Sequence, residues 1–157
     1  MDTISVYTDG ATKRNGRKDA HSGCGVYFSK DHPSNKSIPL PIDPQTNQRA
    51  ELYAIYTAIK CILDINELPK EVKVFTDSMY SIKSLTEWSL TWERNGWMTS
   101  KNTPVCNQDI IQPTLELIKT ALKRHCQVTF HHVRGHSGNF GNDAADRLAV
   151  QATNEYE

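Results

Sequence analysis

The amino-acid sequence predicts an α/β fold in which a five-stranded mixed sheet is flanked by helices. Three observations favour it: apolar and polar residues alternate near the amino terminus, they alternate again at residues 72–76, and a helical apolar stripe lies between the two runs. The predicted order is three strands, a helix, a strand, and then several helices with one further strand at residues 127–133. This order is typical of one mixed sheet covered by helices.

The 157 residues contain no linker, repeat or low-complexity run, so residues 1–157 are predicted to form a single domain. The third predicted strand, at residues 37–42, is interrupted by Pro39 and Pro41. Because proline removes a hydrogen-bond donor from the ladder, we expect this strand at an edge of the sheet.

Two of the predicted strands end in an aspartate. Residues 4–8 alternate with period 2, and that strand is predicted to end at Asp9, where Gly10 permits a turn. Residues 72–76 show the same period and stop at Asp77. If these strands are neighbours in a parallel pair, their terminal carboxylates lie ~5 Å apart. Ligands of open α/β sheets gather at such carboxyl ends.

Two further acidic residues belong to predicted helices. Glu51 lies near the start of a helix whose apolar stripe spans residues 52–62 and whose predicted N-cap is Thr46. We expect Glu51 to lean over the sheet edge while remaining partly exposed. Asp146 is predicted to open the last helix, with Asn142 as its N-cap. A face of small residues at 145–152 would let this helix approach the sheet closely.

Each of these acids alone is typical of ordinary structure, because aspartate is common in turns and acidic residues favour the first turn of a helix. What distinguishes the set is that every member lies at a strand end or helix start that can face one point. Gathered carboxylates repel each other unless a hard cation neutralises them, and Mg²⁺ prefers oxygen ligands. The four acids therefore form a candidate Mg²⁺ site.

Five short motifs surround these acids and occur in the order YTDGA, TNQRAEL, FTDS, HVRGHSG and GNDAADRLA. Through them the chain resembles a type 1 ribonuclease H, most closely the eukaryotic form, over about residues 4–152. The resemblance implies the ribonuclease H-like fold and a metal-dependent endonuclease that cuts the RNA strand of an RNA·DNA hybrid, leaving 5′-phosphate and 3′-hydroxyl ends. It also implies a place in DNA replication and R-loop removal.

The same resemblance implies a role for each site residue. Asp9, Glu51, Asp77 and Asp146 become the metal-binding acids of a two-metal hydrolysis with Mg²⁺, for which Mn²⁺ is a possible substitute. Asp9 would bridge both ions, Glu51 and Asp77 would hold one, and Asp146 would help to hold the other. His136 becomes the mobile histidine of the glycine-bounded GHSG loop, with an assisting role in catalysis.

The resemblance further implies two sets of nucleic-acid contacts. The RNA 2′-hydroxyls would be read by amide side chains, which donate and accept hydrogen bonds. The competing interpretation of these amides is turn formation or helix capping. The DNA strand would lie along a tryptophan channel and in a phosphate pocket, although the two channel tryptophans are also spaced as core residues of one helix. The implied RNA contacts are Asn15, Asn47 and Gln48, and the implied DNA contacts are Thr46, Trp88, Trp92, Ser100 and Asn107.

One position departs from the family pattern. Where the relatives of this type carry an arginine two residues before Thr46, this chain has Pro44. We expect the phosphate pocket to be weaker, or to be served by another basic residue such as Arg49.

Composition gives weaker indications. The formal net charge is zero, from 18 basic and 18 acidic residues, but assigning four acids to metal leaves 18 bases against 14 acids. A basic cluster at residues 13–18 directly follows Asp9 and is a candidate phosphate contact. The four cysteines have no zinc-site spacing, and unpaired thiols indicate a reducing compartment, the cytoplasm or the nucleus. No targeting or membrane segment is expected, and we expect a monomer.

Three alternatives to a free-standing enzyme stay open. The chain could be a ribonuclease H domain excised from a reverse transcriptase or a longer protein. It could also be a non-catalytic hybrid-binding module of the same fold, although all four acids are intact. A third class, the transposase and integrase nucleases, shares the fold and the use of carboxylate-bound metal ions but lacks the TNQRAEL and GHSG motifs. Because the first predicted strand begins at residue 3, no N-terminal hybrid-binding module is expected within this chain.

A first prediction concerns His136, which lies between Gly135 and Gly138 in a loop that can move. An unperturbed imidazole titrates near neutrality, which suits proton transfer or product release. His136→Ala is therefore expected to lower kcat, while the affinity for divalent cations stays largely intact. Steady-state kinetics and metal titration of the two proteins check this, and an unchanged kcat would contradict the assisting role.

Overall fold

The computed structural model describes residues 2–135 and 138–154, which form one sheet with helices on both faces. A short π-helical segment, Ser84–Trp88, joins two of the helices. The strands are β1 Thr3–Lys13, β2 His21–Tyr27, β3 Lys36–Pro39, β4 Glu71–Thr76 and β5 Gln127–His132. The helices are α1 Asn47–Leu63, α2 Met79–Lys83, α3 Ser89–Arg94, α4 Gln108–Lys123 and α5 Phe140–Thr153.

The sheet has the order β3-β2-β1-β4-β5, so it is the mixed five-stranded sheet that the sequence predicts. β1 runs antiparallel to β2 and parallel to β4, and β4 runs parallel to β5. The proline-containing strand β3 pairs only with β2 and lies at the edge, as expected. Among the described residues, no helix has both the length and the apolar character to cross a bilayer.

The prediction that β1 ends at Asp9 is wrong, because β1 continues to Lys13. Its parallel pairing with β4 stops at Tyr7, whereas its antiparallel pairing with β2 continues to the strand end. Asp9 therefore lies just beyond the parallel pair, beside the end of β4. Gly10 does not form a turn. A Cβ at Gly10 would lie 2.5 Å from the backbone nitrogen of Glu51, so the missing side chain lets α1 cross β1 closely.

The two faces of the sheet are covered in different ways. On one face α1 contributes a buried stripe that includes Leu52, Ile55 and Ile59, which packs with the β1 and β4 valines in the hydrophobic core. On the other face α5 lies almost in backbone contact with β2. A Cβ at Gly25 would lie 2.1 Å from the carbonyl oxygen of Ala145, so no side chain fits at Gly25 beneath α5.

The start of α5 differs from the prediction. Its N-cap is Asn139, whose Oδ1 accepts from the Asn142 backbone nitrogen at 3.0 Å, so Asn142 is inside the helix and is not its cap. Asp146 consequently lies in the second turn and does not open the helix. The small-residue face was predicted correctly, since Ala145 and Ala149 are fully buried.

The close approach of α5 and β2 predicts that Gly25→Ala lowers the free energy of unfolding by about 3 kcal/mol, because the new methyl group has no space. Gly16→Ala is the matched control. Nothing lies within 4 Å of a Cβ at Gly16, but its φ is +85°, so only the backbone penalty of about 1 kcal/mol applies. Urea unfolding of both variants measures the difference, and equal losses would show that α5 does not constrain β2.

Candidate active site

Three carboxylates from separate elements meet at the carboxyl end of the parallel strand pair. Asp9 comes from β1, Glu51 from the second turn of α1, and Asp77 directly follows β4. One carboxylate oxygen of each lies within 4.8 Å of those of the other two. The sequence therefore predicted this group correctly.

Burial distinguishes the three acids. Asp9 and Glu51 are each 5% exposed, whereas Asp77 is partly exposed. The expectation that Glu51 stays partly exposed is wrong, because Gly10 lets α1 pack directly on β1. The backbone N–H of Gly10 donates to Oε1 of Glu51 and holds its carboxylate over the strand.

Asp146 joins the same group from α5. It lies close enough to Asp9 for a hydrogen bond between the two side chains, and its charge acts on the Asp9 carboxyl. All four predicted acids are thus assembled. Gly135, the first residue of the GHSG motif, also reaches the site, since a Cβ there would lie 2.7 Å from Oδ2 of Asp77. His136 itself lies outside the described residues, so its role stays a prediction.

The surroundings of Asp9 and Glu51 disfavour the charged form of both carboxyl groups. Burial raises the pKa of Asp9 from 3.8 to about 7, with further upward contributions from the Asp77 and Asp146 charges and an opposing one from the hydrogen bond with Glu51. Burial first, and then the hydrogen bond and charge of Asp9, raise the pKa of Glu51 well above 4.5. Buried carboxylates this close require either bound protons or a cation.

The donor set fits a hard divalent cation. It consists of carboxylate oxygens alone, on three elements whose positions are fixed by the sheet and by α1, and oxygen ligands are those that Mg²⁺ and similar ions prefer. Asp9, Glu51 and Asp77 would hold such an ion. Asp146, beside Asp9, extends the donor set.

An aromatic groove lies on a separate surface formed by the π-helical segment, α3 and the segment after it. Trp88, Trp92 and Ser100 all line this groove, which also includes Met98. The ring centroids of Trp88 and Trp92 are 6.0 Å apart, and Trp88 is 40% exposed. The structure therefore brings the predicted channel residues together, with Trp92 packing against the core and Trp88 facing solvent.

Comparison with known proteins decides the family. A family model described as RNase H matches residues 1–154. The chain belongs to the RNase H family. Ribonuclease H of Schizosaccharomyces pombe is 42% identical over 150 residues, covering 96% of this chain and 53% of that protein. Ribonuclease H1 of Homo sapiens is 40% identical over 161 residues, covering 99% and 52%.

This RNase H chain spans about half the length of the curated relatives it matches first. Among solved structures, foamy viral protease-reverse transcriptase in complex with RNA/DNA hybrid is similar with a TM-score of 0.73 at 27% identity. That similarity covers 96% of this chain and 20% of the viral chain. The ribonuclease H-like fold expected from the motifs is thereby confirmed.

The three amides implied as RNA contacts are all exposed near one corner of this RNase H. Asn15 lies in the turn between β1 and β2, and Asn47 and Gln48 are the first residues of α1. Thr46 caps α1, because its Oγ1 accepts from the Arg49 backbone nitrogen at 3.2 Å. Thr46 is therefore the N-cap that the sequence predicts. Among the described residues, no side-chain hydrogen bond of Asn47 or Gln48 supports the competing interpretation that these two amides cap the helix.

A cleft lies between that turn and the loop before α1. Asn15, Arg17 and Lys18 line one side of it, and Pro44 and Thr46 line the other. The predicted basic cluster thus faces Pro44, the position for which the sequence resemblance implies an arginine.

The suggestion that Arg49 replaces the missing arginine does not agree with the structure. Arg49 is 3% exposed and both ends of its guanidinium bind the Asp109 carboxylate at 2.8 Å. Sequence reasoning treated Arg49 as an available cation because its partner lies 60 residues away, on α4. It also missed Tyr80, whose hydroxyl accepts from Nδ2 of Asn107 at 2.9 Å.

The crowded acids predict an unusual stability change. The folded-state pKa of Asp9 lies above its unfolded value of 3.8, so the folded protein binds the proton more tightly and this contribution to stability is lost as the pH rises towards about 7. At pH 8 without divalent cations, Asp9→Asn is expected to raise the free energy of unfolding by about 2 kcal/mol. At pH 5 the gain should be smaller.

Thermal and urea unfolding in EDTA at the two pH values measure this effect. Asp2→Asn is the matched control, because the Asp2 side chain is 86% exposed and its loss should change little. A destabilised Asp9→Asn protein at pH 8 would contradict the account of mutual repulsion.

Proposed function

We propose that this chain is a hybrid ribonuclease, which hydrolyses the RNA strand of an RNA·DNA duplex and leaves 5′-phosphate and 3′-hydroxyl ends. The observation that carries the proposal is the assembly of Asp9, Glu51 and Asp77 within 4.8 Å in a chain of the RNase H family. Asp146 completes the set from α5. Mg²⁺ is the proposed physiological ion, with two ions bound and Mn²⁺ as a substitute.

Bound divalent ions would neutralise the cluster, activate a water and stabilise the departing 3′ oxygen of the cleaved bond. The residues of the chain supply the fixed positions for this chemistry. Asp9 would be a ligand of such ions together with its neighbours, because its carboxyl interacts with Glu51, Asp77 and Asp146 alike. Gly10 fixes Glu51 through its N–H, and the rigid end of β4 fixes Asp77. His136 is proposed to assist turnover.

The proposed substrate contacts form two sets, one for each strand of a hybrid duplex. The exposed amides of Asn15, Asn47 and Gln48 suit 2′-hydroxyl groups, which donate and accept hydrogen bonds. The groove of Trp88 and Trp92 suits the sugars of the DNA strand. A related solved structure, the foamy viral enzyme, is described as a complex with RNA/DNA hybrid, which supports this partner.

Thr46 and Asn107 are the proposed contacts of a DNA phosphate, with Ser100 at the end of the tryptophan groove. Arg17 and Lys18 lie across the cleft from Pro44 and are proposed to supply positive charge there. Loss of a basic phosphate contact reduces the salt dependence of binding, so the variant that carries both Arg17→Gln and Lys18→Gln should show a shallower slope of log Kd against log salt, by up to about 2.

A second candidate is that the chain acts as the ribonuclease H domain of a longer protein. It is favoured by the coverage of only about half of the first relatives and a fifth of the viral chain. The four free cysteines suit a reducing compartment, and we propose a monomer that acts in the cytoplasm or nucleus. Cys24 and Cys126 are buried, whereas Cys106 is exposed.

Cleavage of matched duplexes tests the proposed activity. RNA·DNA, RNA·RNA, DNA·DNA and a DNA duplex with four consecutive ribonucleotides are incubated with Mg²⁺ or EDTA. The account predicts Mg²⁺-dependent cutting of RNA only in the hybrid and in the four-ribonucleotide duplex. Asp77→Asn should reduce the rate by at least about 10³-fold, whereas the exposed control Asp2→Asn should cut normally.

The other outcomes each point to a different function. Hybrid binding by the wild-type protein without any cleavage would favour the non-catalytic module. Cutting of the all-DNA duplex would favour the wider nuclease class, and cutting in EDTA would contradict the metal site.

A further inference from the structure

Arg49 is a buried arginine whose hydrogen-bonding capacity is fully used. Its Nε donates to the carbonyl of Pro44 at 2.8 Å, and its Nη2 donates to the carbonyl of Asp43 at 3.1 Å. Both terminal nitrogens also donate to the Asp109 carboxylate at 2.8 Å, and Nη1 donates to Oδ1 of Asn107 at 3.3 Å. A guanidinium has five N–H groups, so none remains for a substrate.

The ion pair with Asp109 holds this arrangement in place. Bidentate arginine–carboxylate contacts add geometric specificity to their energy. The hydrogen bond from Arg49 lowers the pKa of Asp109, so the pair stays charged through the neutral range. Arg49 consequently joins three segments: the start of α1, the loop before it, and the N-terminus of α4.

The contact with Asn107 determines which way its carboxamide points. Because a guanidinium offers only donors, the oxygen of Asn107 must face Arg49, and its NH₂ group faces the other way. One N–H of that group donates to the Tyr80 hydroxyl at 2.9 Å. Among the described residues the other N–H takes part in no hydrogen bond, and Asn107 is partly exposed, so this donor is available to a phosphate oxygen. With the amide reversed, an acceptor oxygen would face the phosphate.

We propose that Arg49 is a positioning residue that orients the Asn107 amide so that its donor faces a phosphate of the DNA strand. This inference rests on the proposed hybrid ribonuclease function. It assigns to Arg49 no contact with the substrate. Its effect reaches the nucleic acid only through Asn107.

Two observations strengthen the proposal. Asn107 has a φ of +66°, so its backbone adopts a left-handed conformation directly before α4. This conformation sets the direction in which its side chain leaves the backbone. The contact then continues from Tyr80 to Trp88, whose ring centroids are 5.9 Å apart. The phosphate pocket and the tryptophan groove therefore share one support. Pro44 gives Arg49 a carbonyl acceptor and brings no positive charge to the phosphate pocket. More of the phosphate binding therefore depends on Asn107.

A double-mutant cycle on hybrid affinity tests the proposal. Fluorescence anisotropy in EDTA gives Kd for an RNA·DNA hybrid with wild type, Arg49→Met, Asn107→Gly and the double variant. Glycine is used at position 107 because its backbone tolerates the positive φ. Each single change is expected to raise Kd by about 3- to 10-fold, the effect of one hydrogen bond. The double variant should lie within about 2-fold of Asn107→Gly, since Arg49 acts through Asn107.

Three further variants separate positioning from folding and from charge. Arg49→Lys should restore only part of the affinity, because a lysine lacks the planar fork. Lys119→Met removes one positive charge elsewhere on α4 and should leave Kd within about 2-fold. Asn107→Asp keeps the acceptor for Arg49 but presents a carboxylate oxygen outward, so it should bind more weakly than Asn107→Gly. If Arg49→Met fails to fold, Arg49→Lys takes its place in the cycle, and its loss of affinity should likewise disappear in the Asn107→Gly background.

Additive effects in the cycle, or an Asn107→Asp protein that binds as well as Asn107→Gly, would overturn the positioning role. In both cases the wild-type protein still binds the hybrid, so the proposed function stands. A wild-type protein that does not bind the hybrid would overturn both.

Discussion

The mutual repulsion of buried carboxylates is the constraint on which the rest of the site depends. Asp9 and Glu51 are almost fully buried within reach of Asp77, and burial raises the pKa of both groups. Such an arrangement costs stability in the free protein unless a proton or a cation neutralises the group. A divalent cation would satisfy the oxygen donors and the charge together. The fold is therefore expected to be less stable than it would be with neutral side chains at these positions, and it holds a preformed set of oxygen donors that suits such a cation.

Close backbone packing is what brings the acids together. Gly10 lets α1 lie on β1, and the same glycine donates its N–H to Glu51. On the opposite face Gly25 lets α5 lie on β2, which carries Asp146 to Asp9. Each acid belongs to a different element, so the geometry of the site is a property of the whole sheet. Arg49 extends this principle to the surface proposed to bind nucleic acid, since one buried side chain joins the loop before α1, α1 itself and α4.

The sheet and the acidic cluster could be predicted from the sequence, because strand alternation and the apolar stripe of α1 place Asp9, Glu51 and Asp77 at one sheet edge. The errors have physical reasons. A glycine that permits a turn and a glycine beneath a helix look alike in sequence, so the predicted end of β1 at Asp9 is too early. Asparagine occurs both as a cap and inside a helix, so the predicted start of α5, with Asn142 as its cap, is too late. The burial of Arg49 depends on Asp109, a partner far along the chain that no local pattern indicates.

Divalent-cation binding by the free protein tests the central claim most directly. Mn²⁺ is titrated into wild type, Asp77→Asn and Asp2→Asn, and free Mn²⁺ is followed by its electron paramagnetic resonance signal. Asp2 is an exposed acid outside the cluster, so its variant is the matched control. The account predicts binding by wild type and Asp2→Asn, with an affinity at least about 10-fold lower for Asp77→Asn. Equal binding by all three proteins, or none by wild type, would contradict the metal site.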